Sequence, residues 1–311
     1  MRALSESRVP SVVDPTGREL PSVDALVVTF NRPAEVVRAV RSCESRGFEE
    51  IIVLDNASDS PLRHTEMPPS VRLLRSETNL GACGGRNLLI TSSEADLLLL
   101  LDDDAWLDSS TQVERLVQRF SDESDLAVIA GLVKRPSGMI VKHEFPCRRV
   151  RDIDQRRDVG YFLEGACLIR KSALDDVGSF DSSLFYGHES SDLSLRLIRK
   201  GWRVSYDPDL VVVHDPSPSG RKLTANTYVR QLRNRRILAW RNLPRPISYF
   251  HLSIWFVFYG MKVLTVSPRE LPSLFKVMIS ALDEEVRTIP RNPIRLGEAN
   301  KLQKTGYRIY W

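Results

Sequence analysis

Residues 96–104 read Asp-Leu-Leu-Leu-Leu-Leu-Asp-Asp-Asp, and the fold class turns on this stretch. Five consecutive leucines do not alternate as a strand with one wet face would, and they are too few to cross a bilayer. A strand buried on both faces accounts for both facts, and such strands belong to mainly parallel sheets with helices on either side. The carboxylates that close it then stand at the strand's carboxyl end, where open α/β sheets receive their ligands.

Working upstream, Asp24 to Thr29 is a β-rich run closed by Phe30-Asn31-Arg32-Pro33, and Pro33 suits the first turn of a helix bearing Val36, Val37, Val40 and Cys43. Ile51 to Leu54 is a second strand ending in Asp55-Asn-Ala-Ser-Asp59, and Val71 to Leu74 a third leading into Asn79-Leu-Gly-Ala-Cys-Gly-Gly-Arg-Asn87. Downstream, Leu126 to Val133 and Tyr161 to Arg170 read as strands, Ser191 to Lys200 as a helix stopped by Gly201, and Arg203 to Tyr206 and Leu210 to His214 as two short strands. Beyond Arg221 the β signals stop. Thr227 to Trp240 reads as a basic helix, Ile247 to Val266 as a very apolar one and Leu271 to Arg287 as an amphipathic one. The expected division is a flexible segment over 1–20, a catalytic domain over 21–222 and a helical region over 223–311.

The 311 residues suffice for a large core, and 42% hydrophobic with 27% charged residues is ordinary for a globular protein. A disulfide scaffold, a coiled coil and a disordered chain are excluded. Ten of the 44 Lys and Arg, and none of the 40 Asp and Glu, lie between Pro216 and Arg269, which places any anionic partner near the C-terminal third. Cys43, Cys83, Cys147 and Cys167 form no CxxC pair and no secretory signal is read ahead of them, so reduced intracellular thiols and a cytoplasmic location are expected.

Asp102, Asp103 and Asp104 repel one another unless a cation or a set of donors holds them, and Mg2+ or Mn2+ bridging to phosphates would do so. Carboxylates capping a helix near Ser109 explain the triplet equally well. Asp55 stands where an acidic side chain can accept from a base or ribose, although an Asx-turn also explains it. Gly81, Gly84 and Gly85 before Arg86 would let amides and a guanidinium approach a diphosphate; the spacing is neither a Walker loop nor a dinucleotide fingerprint. Glu189 and Asp192 flank a helix start, suiting either a general base or capping. His214 ends an apolar strand and gains meaning only together with an Asp pair.

In sequence order these elements resemble the inverting family 2 glycosyltransferases of GT-A fold, in their rhamnosyltransferase-like branch, from about Val23 to Arg241. The pieces are Val27-Val-Thr-Phe-Asn-Arg32, Val53-Leu-Asp-Asn-Ala-Ser58, Asn79 to Asn87, Leu101-Asp-Asp-Asp104, Gly165-Ala-Cys-Leu-Ile-Arg170, Val177-Gly-Ser-Phe-Asp181 and Glu189-Ser-Ser-Asp-Leu-Ser-Leu-Arg196, with Gly201-Trp202 after them. The resemblance implies a Rossmann-like central sheet flanked by helices, with a C-terminal helical extension. It implies that Thr29, Asn31 and Arg32 line a nucleotide pocket, that Asp55 binds base or ribose, and that Asn79, Gly81 and Arg86 sit near the diphosphate. Asp102 and Asp104, with Asp103 between them, form the DxD motif that meets the diphosphate through Mn2+ or Mg2+, with His214 as a further ligand. Gly165 and Ala166 shape the donor-sugar side.

One departure bears on mechanism. The family usually shows Glu-Asp-x-Asp-Leu, with the aspartate of the Glu-Asp pair as base, whereas this chain has Ser190 at that position. Glu189 is then the expected base, with Asp192 as runner-up. The implied partners are a dTDP- or UDP-linked sugar, rhamnose favoured, and a hydroxyl acceptor on a glycan, lipid-linked sugar or small molecule. A catalytically inactive sugar-nucleotide-binding protein is the alternative that Ser190 keeps open, and a sugar nucleotidyltransferase lacks its triphosphate loop here. No nucleic-acid module is read. For the apolar C-terminal helix, peripheral contact with the inner face of a membrane and burial against this chain or a second copy stand level.

Overall fold

The computed structural model describes residues 13, 17–141, 144–146, 153–216, 224–280, 290–305 and 307. The expected lead-in over 1–20 falls mostly outside these residues, as do Cys147, the join between 222 and 223, and the end of the helix expected to run to Arg287.

Four strands, β1 (Val23–Thr29), β2 (Ile51–Asp55), β3 (Val71–Arg75) and β4 (Leu97–Asp102), form a parallel half-sheet in the order β3-β2-β1-β4. Beyond β4 the sheet is mixed. Strand β8 (Ala166–Arg170) runs antiparallel to both β4 and β6 (Leu126–Lys134), and β9 (Arg203–His214) lies parallel to β6. The short strands β5 (Ala105–Leu107) and β7 (Arg157–Asp158) pair antiparallel with β9.

The leucine run is covered on both sides, as its composition requires. Leu97, Leu99 and Leu101 join a core with helices α1 (Pro33–Arg41) and α3 (Val113–Asp122) through Val36, Val40, Leu116 and Phe120. Leu98 and Leu100 face the opposite core, built on Leu89 and Ile90 of α2 (Gly81–Ser92), Ala173 and Leu174 of α4 (Lys171–Val177), and Leu193 and Leu197 of α5 (Glu189–Lys200). A period of two with both faces buried leaves no room for alternation in the sequence.

Three expectations are corrected. The strand expected over Tyr161–Arg170 begins only at Ala166, because the chain turns immediately before it, with Ala166 N donating to Leu163 O. The two strands expected over 203–214 are one. Register shifts between Ala130 and Leu132 absorb the extra residues of β9 as a bulge, and buried Asp207 within it is held by Arg119 and Arg156. No helix starts near Ser109; the Asp triplet leads into β5, and the next helix begins at Val113, so the capping explanation of the triplet fails.

Helices α6 (Ala225–Asn242), α7 (Arg245–Val266), α8 (Leu271–Ile279) and α9 (Leu296–Lys304) follow the sheet. The arginines of α6 do not form a solvated basic face. Arg241 pairs with Asp181, Arg236 donates to Val277 O and Ser280 O, Arg233 to Ser183 O, and buried Arg235 stacks 3.5 Å over Trp255. Asn234 Nδ2 donates to the carbonyls of Leu184, Tyr186 and Gly187, so α6 grips the loop that leads into α5.

Candidate active site

The strand register gathers the site. Thr29 and Asp55 are paired at the carboxyl ends of β1 and β2, and Val28 is opposite Asp102 on β4. Antiparallel β8 brings its amino end to the same edge, with Ala166 opposite Leu101. The long β9 carries His214 to the far side of the triplet, opposite Ala105.

The three aspartates diverge in their partners. Asp103 is turned inward, accepting from Thr29 Oγ1 at 2.8 Å and from Arg32 Nη1 at 2.6 Å. Burial pushes its carboxyl up to about 6 despite the pull of Arg32. Asp104 pairs with Arg32 at 3.1 Å and with His214 Nε2 at 3.4 Å, while Asp102 accepts from Arg86 Nη2 at 2.8 Å.

One ligand atom each from Asp102, Asp104 and His214 lies within 4.8 Å of the others. Two carboxylate oxygens and an imidazole nitrogen form a donor set that Mn2+ or Mg2+ accepts. Gly165 enforces the arrangement, because a Cβ there would stand 2.1 Å from Asp102 Cγ. His214 is braced from behind by Glu144, 3.2 Å from Nδ1, and Glu144 is gripped by Arg135 through two 2.8 Å hydrogen bonds. Against the opposing effect of burial, Asp104 and Glu144 raise the imidazole of the metal-free site to about 9, so a cation bound there displaces the proton from Nε2. The residues present fit a divalent cation.

On the other flank, Asp55 is buried and accepts from the amides of Ser58 and Leu62 and from Arg75. Its carboxyl stays below the ordinary range because these donors outweigh burial. Asn31 and Asp59 exchange hydrogen bonds of 3.0 and 2.8 Å beside it. Asn79 Oδ1 accepts from Gly81 N at 2.9 Å and from Asn56 Nδ2 at 3.3 Å, which fixes the start of α2. Gly81, Gly84 and Gly85 belong to that helix rather than to an open loop. Gly81, at φ +71°, lets Phe185 approach closely, and Gly85 lets the helix settle on Val28.

Arg86 is therefore not a solvent-facing cation. It is buried between Asp102 and Glu189, with Nη1 3.5 Å from Glu189 Oε1 and without a hydrogen bond among the described residues. Glu189 opens α5 after His188, whose φ of 70° is left-handed. Burial, and then the charge of Glu164, push the Glu189 carboxyl up to about 7, with Arg86 opposing. Asp192 does not join this cluster. It accepts from Arg196 at 2.8 Å, and Arg196 ties the carbonyls of Val177, Gly178 and Ser179.

Glu164 was not singled out by sequence reasoning. It is buried beside Glu189, and its Oε1 accepts from Ser190 N at 2.7 Å. Its signal was present: it is the sole acidic residue between Val159 and Arg170 and directly precedes Gly165. Glu144 and Arg135 were also missed, since nothing local in sequence links them to His214.

The sequence profile of the glycosyl transferase family 2 matches residues 24–178. Pre-mycofactocin glycosyltransferase of Mycobacterium tuberculosis is 27% identical over 235 residues, covering 69% of this chain and 47% of that protein. N-acetylglucosaminyl-diphospho-decaprenol L-rhamnosyltransferase of the same organism is 40% identical over 73 residues, 23% of this chain and 24% of that one. The chain thus spans about half the length, or less, of these curated relatives. Among solved structures, GalNAc-T7 with UDP, GalNAc and Mn2+ superposes with a TM-score of 0.58 at 15% identity, over 93% of this chain and 55% of that one. A mannosyltransferase from Pyrobaculum calidifontis in complex with GDP-Man and Mn2+ gives 0.54 at 14% identity, over 98% and 91%. These likenesses establish a shared GT-A fold.

Proposed function

The chain belongs to glycosyl transferase family 2, and we propose that it transfers a hexose from a nucleoside-diphosphate sugar to an acceptor hydroxyl with inversion, using a divalent cation. The observation that carries this reading is the convergence of Asp102, Asp104 and His214 beside Thr29, Arg32 and Asp55 at one sheet edge. The proposed catalytic unit is 21–222, followed by a helical region over 223–311.

In this account Asp55 and Asn31 receive the nucleoside, and Asn79 with Gly81 shapes the start of α2 beside it. Asp102, Asp104 and His214 would hold Mn2+ or Mg2+, which when bound would supply positive charge to offset that building on the leaving diphosphate. Gly165 and Ala166 border the donor sugar. Glu189 takes the proton from the acceptor hydroxyl, and a buried carboxyl raised to about 7 has a proton affinity matched to that task. Arg86 spans the two halves of the chemistry, holding Asp102 with one amino group and facing Glu189 with the other. Asp192 serves as a structural clamp through Arg196.

A dTDP- or UDP-linked donor is the proposed class, with rhamnose favoured by the name of one relative, and the decaprenol in that name favours a lipid-linked acceptor met from the cytoplasm. The test is transfer from a panel of nucleotide sugars to prenyl-diphosphate sugars, with the product's anomeric configuration read by NMR. An inverted glycoside formed only with divalent metal supports the reading. A retained configuration, or no turnover with any donor by a folded protein, contradicts it.

A further inference from the structure

Helix α7 is apolar on both sides. Its inner stripe, Leu252, Tyr259 and Val263 with Ser248 and His251, is buried, and Tyr259 and Val263 form a cluster with Leu232 of α6 and Leu274 of α8. Its outer stripe, Ile247, Phe250, Ile254, Val257, Met261 and Leu264, recurs every three or four residues and is exposed. Phe250 is 70% exposed, and Phe275 and Ile279 of α8 continue the surface, at 50% and 82%. Phe256 and Phe275 stack edge to face, with centroids 4.9 Å apart, so α7 and α8 present one continuous face. A surface of this extent on one soluble domain marks a docking site.

We propose that the α7–α8 face docks onto an anionic lipid bilayer and lies in its interfacial plane. The charges select this occupant. Between Pro244 and Ser280 the chain carries Arg245, Lys262, Arg269 and Lys276 against one carboxylate, Glu270, and all four cations are exposed. A second copy of this chain, brought face to face about a twofold axis, would set this excess positive charge against itself, whereas acidic headgroups neutralise it. The helix, about 33 Å long for its 22 residues, does not cross the membrane in this account, because its inner stripe is already packed on α6 and α8. The face is mechanically tied to the proposed reaction site, since α6 stacks Arg235 on Trp255 of α7 and holds the loop before Glu189 through Asn234.

The proposal stands apart from the proposed transfer reaction, and its test needs no turnover. The full chain is floated with phosphatidylcholine vesicles with and without phosphatidylglycerol, at low and high salt, and its oligomeric state is measured by light scattering. A monomer that floats with the anionic vesicles and is released by salt is the expected result. A triple variant, Phe250→Ser, Ile254→Ser and Met261→Ser, is expected to stay at the bottom of the gradient with its circular dichroism unchanged. Lys262→Gln with Lys276→Gln, which leaves the apolar surface intact, is expected to lower partitioning by about fivefold per charge removed. A wild-type chain that ignores anionic vesicles overturns the proposal. So does a dimer that the triple variant dissociates, or binding that the charge on the vesicle does not affect.

Discussion

The backbone amide of Ser190 donates to the Glu164 carboxylate at 2.7 Å, which sets a carboxylate from the turn ahead of β8 beside the position where the resembling sequences carry an aspartate. Glu164 and Glu189 thus share one buried corner with Arg86, and the loss of an acidic side chain at 190 has not left that corner without negative charge.

Glu189→Gln keeps the shape of the side chain and removes its basicity. Turnover is expected to fall by about a hundred- to ten-thousand-fold, while nucleotide affinity in a calorimeter stays within a few-fold of wild type. Near-normal turnover by this variant assigns the base elsewhere.

The pH profile carries a sign. Glu189 must be deprotonated to accept a proton, so kcat is expected to be lost as pH falls through about 7, the value to which burial and Glu164 raise it. Glu164→Gln removes the neighbouring charge that disfavours ionisation, so the acid limb should move to lower pH. An acid limb that does not move in this variant separates the two carboxylates.

Gly165→Ala places a methyl group 2.1 Å from Asp102 Cγ, so the carboxylate must swing out of its position. Metal-dependent nucleotide binding is expected to weaken while the melting temperature changes little. Binding equal to wild type would show that Asp102 has no fixed role there.

Glu144→Gln tests the support behind His214 without touching a proposed ligand. Loss of a carboxylate that orients a ligating imidazole lowers metal affinity by about 10- to 100-fold, measured here as the Mn2+ concentration that half-saturates nucleotide binding. An unchanged Mn2+ requirement would remove His214 from the proposed ligand set.

Arg241→Ala leaves Asp181 without its principal cation at the junction between α6 and the sheet domain. Breaking a buried pair from one side costs about 3–5 kcal/mol, and chemical denaturation should register the loss. A cost below about 1 kcal/mol would mark the contact as a weak surface pair.

The leucine run and the residues closing the parallel strands were legible because burial on both faces and strand-end position are local properties of sequence. The bulge that makes one strand of 203–214 was not, since it depends on the register against β6. Likewise, Arg230, Arg233, Arg235, Arg236 and Arg241 read as a basic surface until their partners are known, and Asp181 and the carbonyls of 183, 277 and 280 lie far away in sequence. Thr29, Arg32, Asp102 to Asp104, Gly165 and His214 were found together because a resemblance spanning the strand ends supplied their order. Glu164 was missed because the same pattern drew attention to Ser190 and away from the carboxylate that reaches it from another part of the chain.

A metal-dependent nucleotide site at Asp102, Asp104 and His214 is the core of the proposed function. Isothermal titration of UDP, dTDP, GDP and ADP into the wild-type chain and into Asp104→Ala, with Mn2+ and then with EDTA, addresses it directly. The prediction is that UDP or dTDP binds the wild-type chain only with Mn2+, and that Asp104→Ala loses this binding while remaining folded. Binding that persists in EDTA, or no binding of any nucleotide to the folded wild-type chain with Mn2+, would contradict the claim.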